Sequence, residues 1–354
     1  MSEDKKVSKR VLSFFLCLIM ALLSFVLTSC NSEVKTETAE FFVFDTVVNI
    51  TAYGEKAKEA IEAARDELYR YDALLSTTNE NSDIYKVNNN EYQEVSAETA
   101  EIIEKSLKIS ELTEGSLDIT IYPVVELWGF TGGNYRVPSE SEVEEALNFV
   151  GFDKISLQGN NVIKDDPKVQ IDLGATAKGY IGDKVAEAIK NAGCNSAVLS
   201  IGGNVVTVGT KPDGKDFNVG ITWTDGKEIC ATVSLKDMSA VTSGTYQRNF
   251  TENGVFYHHI IDPKTGYPAQ SDIGSVTIFT SNGLVADGLS TAFFVMGSEK
   301  AVEFYENEKY SELGTDSLDF MIIKNDGTCI VTESIYSNMK LNSDCISESD
   351  VTVI

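Results

Sequence analysis

Strand-like and helix-like segments follow one another along this chain in no regular alternation, and that irregular order limits the fold more than any single motif. "FFVFDTVVNITAYG" (41–54) is β-branched and aromatic and reads as a strand. "EKAKEAIEAARDELYRYDALLS" (55–76) then sets Ala60, Ile61, Ala64, Leu68 and Tyr71 at helical spacing. Further helices are predicted over 97–115, closed by Gly115, over 139–151 with Ser139 or Ser141 as N-cap, and over 177–193. Strands are predicted at 169–174, in two pieces across 196–209 broken by Gly202-Gly203, and within 227–244 and 254–261. The segment 116–133 reads as mixed strand and loop. "SVTIFTSNGLVADGLSTAFFVMG" (275–297) runs strand, cap, helix, and another helix follows it. "LDFMIIKNDGTCIVT" (318–332) is a hairpin turning at Asp326-Gly327. With neither βαβ alternation nor an internal repeat, the expected class is α+β, with mixed, largely antiparallel sheets and packed helices.

The first residues are set apart from this body. Lys5, Lys6, Lys9 and Arg10 precede the apolar run "VLSFFLCLIMALLSFVL", which reads as a secretory signal. The "LTSC" that follows resembles a bacterial lipobox, which implies cleavage before Cys30 and lipidation of its thiol. An uncleaved membrane anchor is the competing reading, because the run approaches spanning length. The expected organisation is a lipoprotein signal over 1–29, a polar tether over 30–40 and one domain over 41–354. The expected location is the extracytoplasmic face of a bacterial membrane, held there by the lipid.

Asp and Glu number 54 against 29 Lys and Arg, for a formal charge of −25. Such a chain lacks the basic stripe that nucleic acid requires. An anionic small substrate would need a local cation or a metal to enter. Past Cys30, four cysteines remain (Cys194, Cys230, Cys329 and Cys345), and no C-x-x-C occurs, so zinc and thioredoxin chemistry have no support.

Asp287 and Thr291 lie four apart near a helix start, so a carboxylate and a hydroxyl share one face. That is hard-oxygen chemistry suited to magnesium, although an acid in a first helical turn also suits the helix dipole. In "IDLGATAKGYIGDK", Asp172 closes the expected strand and Lys178 opens a helix beside Gly174. This is one way a backbone approaches phosphate, and a tight strand-to-helix connection explains it equally well. Gly202-Gly203 marks a bulge or a close backbone contact. His258 and His259 are the only histidines of the chain.

Taken together and in order, "TEGSLDITIYPVVELWGF", "IDLGATAKGY", "LSIGGN", "TSGTYQR", "HHIIDPKTGYP" and "ADGLSTAFFVMG" resemble the ApbE family of FAD:protein FMN transferases. The resemblance runs from about Phe41 to about Val331. It implies transfer of FMN from FAD to a Ser/Thr hydroxyl of an acceptor flavoprotein supplied in trans, with AMP released. It implies Mg²⁺ held by Asp287, Thr291 and the backbone carbonyl of Ala175. Ser116, Leu117, Asp118, Asp172, Lys178 and Ile261 are implied to line the FAD site. Phe44, where many relatives have Met, and Thr78, where some have an aromatic, are implied to adjoin it. Ser290 stands where some relatives carry a second Asp, which weakens a second metal. His259 is the expected catalytic residue, contacting the pyrophosphate or the reacting hydroxyl. His258, on the opposite strand face, has an expected surface role, and Asp262 is expected to fix the turn. Two alternatives stay open: a FAD pyrophosphatase giving FMN and AMP, and a flavin-binding lipoprotein that serves a transporter. AMP release without peptide modification would mark the first, and FAD binding without Mg²⁺-dependent turnover the second.

Overall fold

The computed structural model describes residues 34–354, so the signal and Cys30 lie outside the described residues. Its first element is a hairpin of β1 (Thr36–Val43) and β2 (Thr46–Tyr53), where a single strand over 41–54 was expected. β1 therefore begins inside the segment expected as tether. Its exposed face is polar enough to read as linker, with Thr36, Glu37, Thr38 and Glu40 along it. The two-residue turn is Phe44-Asp45, both at positive φ (55° and 53°). That is the backbone a tight hairpin demands, but glycine or asparagine normally supplies it, so the sequence carries no turn signal.

Helix α1 (Ala57–Leu75) follows, then α2 (Asp83–Asn88) capped by Ser82, inside what reads as a polar loop. Helix α3 (Ala97–Leu112) ends in a tight backbone closure, Gly115 N–H donating to Ser110 O at 2.8 Å. The segment expected as mixed strand turns out helical: a 3₁₀ turn, Ile119–Ile121, runs into α4 (Tyr122–Leu127), with Pro123 in its first turn. Proline suits a first helical turn and interrupts strands, which accounts for the difference. Helix α5 (Glu140–Leu147) starts on a Ser139–Glu142 capping box, and β3 (Ile155–Gln158) pairs with β4 (Asn161–Lys164). The expected strand at 169–174 pairs with no strand. Its backbone is satisfied instead by the Asn88 side chain, which clamps Ile171 at 2.7 and 2.9 Å, and by Ile119 O, which accepts from Asp172 N–H. Helix α6 (Ala177–Asn191) follows.

A nine-stranded sheet forms the centre, in the order β1-β2-β5-β6-β9-β12-β13-β14-β16. It contains β5 (Ser196–Ile201), β6 (Asn204–Gly209), β9 (Ser239–Gly244), β12 (Ile273–Thr280), β13 (Asp319–Lys324), β14 (Cys329–Val331) and β16 (Val351–Val353). Every pairing is antiparallel except β14 with β16. Gly202-Gly203 is the turn joining β5 to β6. A smaller sheet of β15 (Met339–Leu341), β8 (Ile229–Leu235) and β7 (Phe217–Thr222) covers one face, and helices cover the other. Strand β13 shows the alternation: Phe320 and Ile322 enter the helix-side core, while Met321 and Ile323 enter the core under the small sheet. Because both faces are covered, β12 is buried along its whole length. Beside the main sheet, β10 (Asn249–Glu252) and β11 (Val255–His258) form a separate ribbon.

Two helices close the body: α7 (Gly283–Met296) and α8 (Ser298–Glu306), ahead of the short α9 (Glu333–Tyr336). No helix among the described residues is long and apolar enough to cross a membrane. Helix α7 crosses α6 at an unusually close point, made by glycine on both sides. A Cβ on Gly179 would sit 1.9 Å from Gly283 O, and one on Gly283 would sit 2.5 Å from Gly179 O. Each glycine then donates its free first-turn N–H to the other helix's carboxylate one turn on. Gly179 N bonds Asp287 Oδ2 at 2.9 Å, and Gly283 N bonds Asp183 Oδ2 at 2.8 Å. Orphan N–H groups of both helix starts are thereby satisfied without water. Gly179→Ala is expected to destabilise the chain by about 1–3 kcal/mol through overpacking against backbone. Urea unfolding measures it, and an unchanged midpoint would contradict this packing.

Candidate active site

The crossing fixes Asp287 where α6 and α7 meet. Its side chain is buried, and beyond Gly179 N–H it accepts from Asn204 Nδ2 at 3.0 Å through Oδ1. Lys178, second residue of α6, brings Nζ to 3.5 Å from Asp287 Oδ1 and donates to Gly174 O at 2.6 Å. Thr291 stands one turn further along α7, with Oγ1 3.4 Å from Ser243 Oγ on β9. Ser290 bonds the same Ser243 at 2.8 Å and caps the Asp287 carbonyl at 2.8 Å. Ala175 lies in the turn that leads into α6, and Asp172 braces that turn by accepting from Gly174 N at 2.5 Å.

The ribbon supplies a second wall. Arg248 O accepts both the backbone N–H of His259 at 3.0 Å and its ring Nδ1 at 3.2 Å. A carbonyl only accepts, so Nδ1 carries the proton and Nε2 keeps a free lone pair. Burial first, then the Arg248 and Lys178 cations, hold the His259 imidazole far below its ordinary value, at about 3. Burial raises Asp172, while Gly174 N–H, Lys178 and Arg248 pull it the other way. Lys178 and Arg248 thus both act on the same imidazole and the same carboxylate. The Arg248 guanidinium also reaches Asp45 O at 3.4 Å, which links the ribbon to the turn that carries Phe44.

The remaining expected residues gather around these groups to different degrees. Phe44 is half-buried, strained at positive φ, and tied by its N–H to Asp72 Oδ1 at 2.8 Å. Ser116, Leu117 and Asp118 are buried between α3 and the 3₁₀ turn. Leu117 packs toward Gly288 of α7. Asp118 caps the 3₁₀ turn through Thr120 N–H at 2.8 Å and Thr120 Oγ1 at 2.6 Å, and burial raises its pKa. Ile261 is buried in an aromatic core with Trp128 and Phe130 and bridges Pro268. Thr78 is exposed and bonds only Ser76 locally, although its neighbour Thr77 meets the Tyr122 hydroxyl. Asp262 fixes its turn as expected, accepting from Lys264 N–H at 2.9 Å. His258 does not have the surface role expected of it. It is buried against Phe294, and its Nε2 donates to Ala269 O at 3.2 Å.

The ApbE family profile matches residues 44–313. The chain belongs to the ApbE family. A Haemophilus influenzae protein named FAD:protein FMN transferase is 33% identical, covering 94% of this chain and 98% of its own. A Vibrio cholerae protein of the same name is 32% identical over 75% of this chain and 78% of its own. Among solved structures, the ApbE protein of Thermotoga maritima superposes with a TM-score of 0.76 at 32% identity, over 86% of this chain and 99% of that one. Flavin Transferase ApbE from Vibrio cholerae gives 0.75 at 26%, with the same coverage.

Whether these residues suit the metal expected of an ApbE protein is a question of donors. Each Asp287 oxygen takes a single neutral hydrogen bond, which leaves further lone pairs, and Thr291 adds a hydroxyl on the same helix face. With the Ala175 carbonyl, this is an oxygen set with few protein ligands, the kind Mg²⁺ accepts. The residues fit. Sequence reasoning missed Asn204 and Ser243, though both lie in motifs it quoted, "LSIGGN" and "TSGTYQR". A cleft of about 520 Å³ beside α3 and α6 shares none of the residues named as site. Its charges are closed on each other, with Lys105 on Glu101 at 2.7 Å and Lys190 on Asp237 at 2.8 Å.

His259 should stay neutral at every pH where the protein is handled. The unfolded chain takes up this proton near 6.5 and the folded one only near 3, so stability drawn from this group is complete above pH 6.5 and declines as pH falls toward 3. Histidine NMR in a chain with two imidazoles checks it, and a His259 midpoint near 6.5 would contradict the burial described.

Proposed function

We propose that this chain transfers FMN from FAD to a Ser/Thr hydroxyl of an acceptor protein and releases AMP. The observation that carries the reading is the His259 geometry: a neutral imidazole locked by Arg248 O, with Nε2 unprotonated, in the field of a Lys178 that itself stands 3.5 Å from Asp287 Oδ1. In the reaction, the acceptor Oγ forms a bond to the FMN phosphorus. The bond from that phosphorus to the bridging oxygen breaks, and AMP leaves with that oxygen. The hydroxyl proton passes to His259 Nε2. Nε2 is unprotonated at working pH, and the phosphate charge of bound FAD, by offsetting Lys178 and Arg248, raises its basicity toward the range a general base needs. Lys178 offsets charge on the phosphoryl oxygens, which matters in a chain of formal charge −25. Mg²⁺, which Asp287, Thr291 and the Ala175 carbonyl would hold, supplies further charge neutralisation at those oxygens.

Phe44 fits a flavin-contacting role, because a bulky residue held at positive φ is uncommon and such strain concentrates at functional sites. The acceptor comes in trans. We place the reaction on the outer face of a bacterial membrane, tethered through lipid on Cys30. The basic start, apolar run and "LTSC" support that placement.

Mass spectrometry of an acceptor domain incubated with the chain, FAD and Mg²⁺ tests the function, with AMP followed in parallel. A mass gain of one FMN unit that EDTA abolishes is expected; AMP without modification of a competent acceptor would point to a pyrophosphatase instead. Asp287→Ala should remove transfer, and wild-type rates at physiological Mg²⁺ would sink the metal assignment. His259→Ala should lower turnover by about 10²–10⁴-fold and leave FAD affinity nearly unchanged. Loss of affinity alone would make His259 a binding residue.

A further inference from the structure

Arg248 is a cation without a counter-ion in a strongly acidic chain. Among the described residues its guanidinium has no carboxylate within ion-pair distance, and its one hydrogen bond is the 3.4 Å contact to Asp45 O. Other arginines in the body are closed on acids: Arg65 on Asp66 at 2.9 Å, Arg70 on Glu67 and Glu98 at 2.8 and 3.0 Å, Arg136 on Glu142 at 2.9 Å. Where acids outnumber bases 54 to 29, an arginine without an ion pair stands apart from the other arginines of the described residues. The Arg248 carbonyl holds His259, and its charge acts, as that of Lys178 does, on both His259 and Asp172.

We infer that Arg248 is a further catalytic residue, whose guanidinium contacts the pyrophosphate oxygens of FAD opposite Lys178. The inference rests on the proposed transfer reaction and names a group beyond those the family resemblance implies. A planar fork of donors matches phosphate oxygens two at a time, which a lysine ammonium does not. The residue works at two ends. Its carbonyl fixes the His259 tautomer through the backbone, and its side chain supplies positive charge where the phosphorus is attacked. Because the first role belongs to the backbone, a side-chain substitution separates the two. Arg248 is exposed, so its replacement spares the core.

The test compares Arg248→Gln and Arg248→Lys with the wild-type chain. Turnover of FAD with an acceptor domain is read first, then binding of ADP, which carries the pyrophosphate, and of riboflavin, which lacks it. The expected result is a fall in turnover of about 10²-fold in Arg248→Gln, weaker ADP binding, unchanged riboflavin binding and partial recovery in Arg248→Lys. ADP binding and turnover at wild-type levels in Arg248→Gln would overturn the assignment. So would equal losses for ADP and riboflavin, which would mean a disturbed site rather than a lost phosphate contact. If the wild-type chain transfers no FMN, the reading of function fails by itself, and the ADP-against-riboflavin comparison still decides Arg248.

Discussion

The site depends on two glycines that let two helices touch. Gly179 and Gly283 bring α6 and α7 to backbone contact, and each helix start hands an amide to the other's carboxylate. The arrangement is reciprocal, written in the sequence as "GYIGD" and "GLVAD", with Asp four residues after Gly in both. One carboxylate, Asp183, serves the crossing alone. Burial pushes it up to about 7, although the Gly283 and Leu284 amides pull the other way. The other, Asp287, braces the crossing and also faces Lys178 and Asn204. Positioning of the α7 face that carries Asp287 and Thr291 therefore comes from main-chain geometry, which a side chain cannot imitate.

Electrostatics then decides what such a pocket can attract. A formal charge of −25 repels an anion at long range, and screening confines any rescue to a short distance. Lys178 and Arg248 provide that local field from two different supports, a helix start and a β-ribbon. The ribbon itself is anchored by aromatic packing: Trp128 lies 5.3 Å from Tyr257 and donates Nε1–H to Gly266 O at 2.8 Å. Burial first, and then these same two cations, keep His259 unprotonated.

Much of this was legible in the sequence. Long amphipathic helices, the Asp326-Gly327 hairpin and the Asp262 turn follow from periodicity and turn chemistry, and the α+β class from their order. The misses have physical reasons. The β1–β2 turn uses Phe44 and Asp45 in a backbone that glycine usually takes, so a hairpin looked like one strand. The segment at 169–174 has the residues of a strand, but Asn88 replaces a strand partner from far along the chain. His258 looked like surface because alternation gives a face, not what covers it, and here Phe294 does. Arg248 sat inside a quoted motif unnoticed, since an unpaired cation is recognised only once its surroundings are known.

Asp287 and Thr291, presented by the glycine crossing, should face the same space as Lys178, Arg248 and His259. Anomalous diffraction from crystals grown with FAD and Mn²⁺ in place of Mg²⁺ tests it most directly. One manganese peak against Asp287 and Thr291 is expected, with the FAD pyrophosphate between that peak and Arg248. A peak elsewhere, or a pyrophosphate bound away from His259, would contradict it.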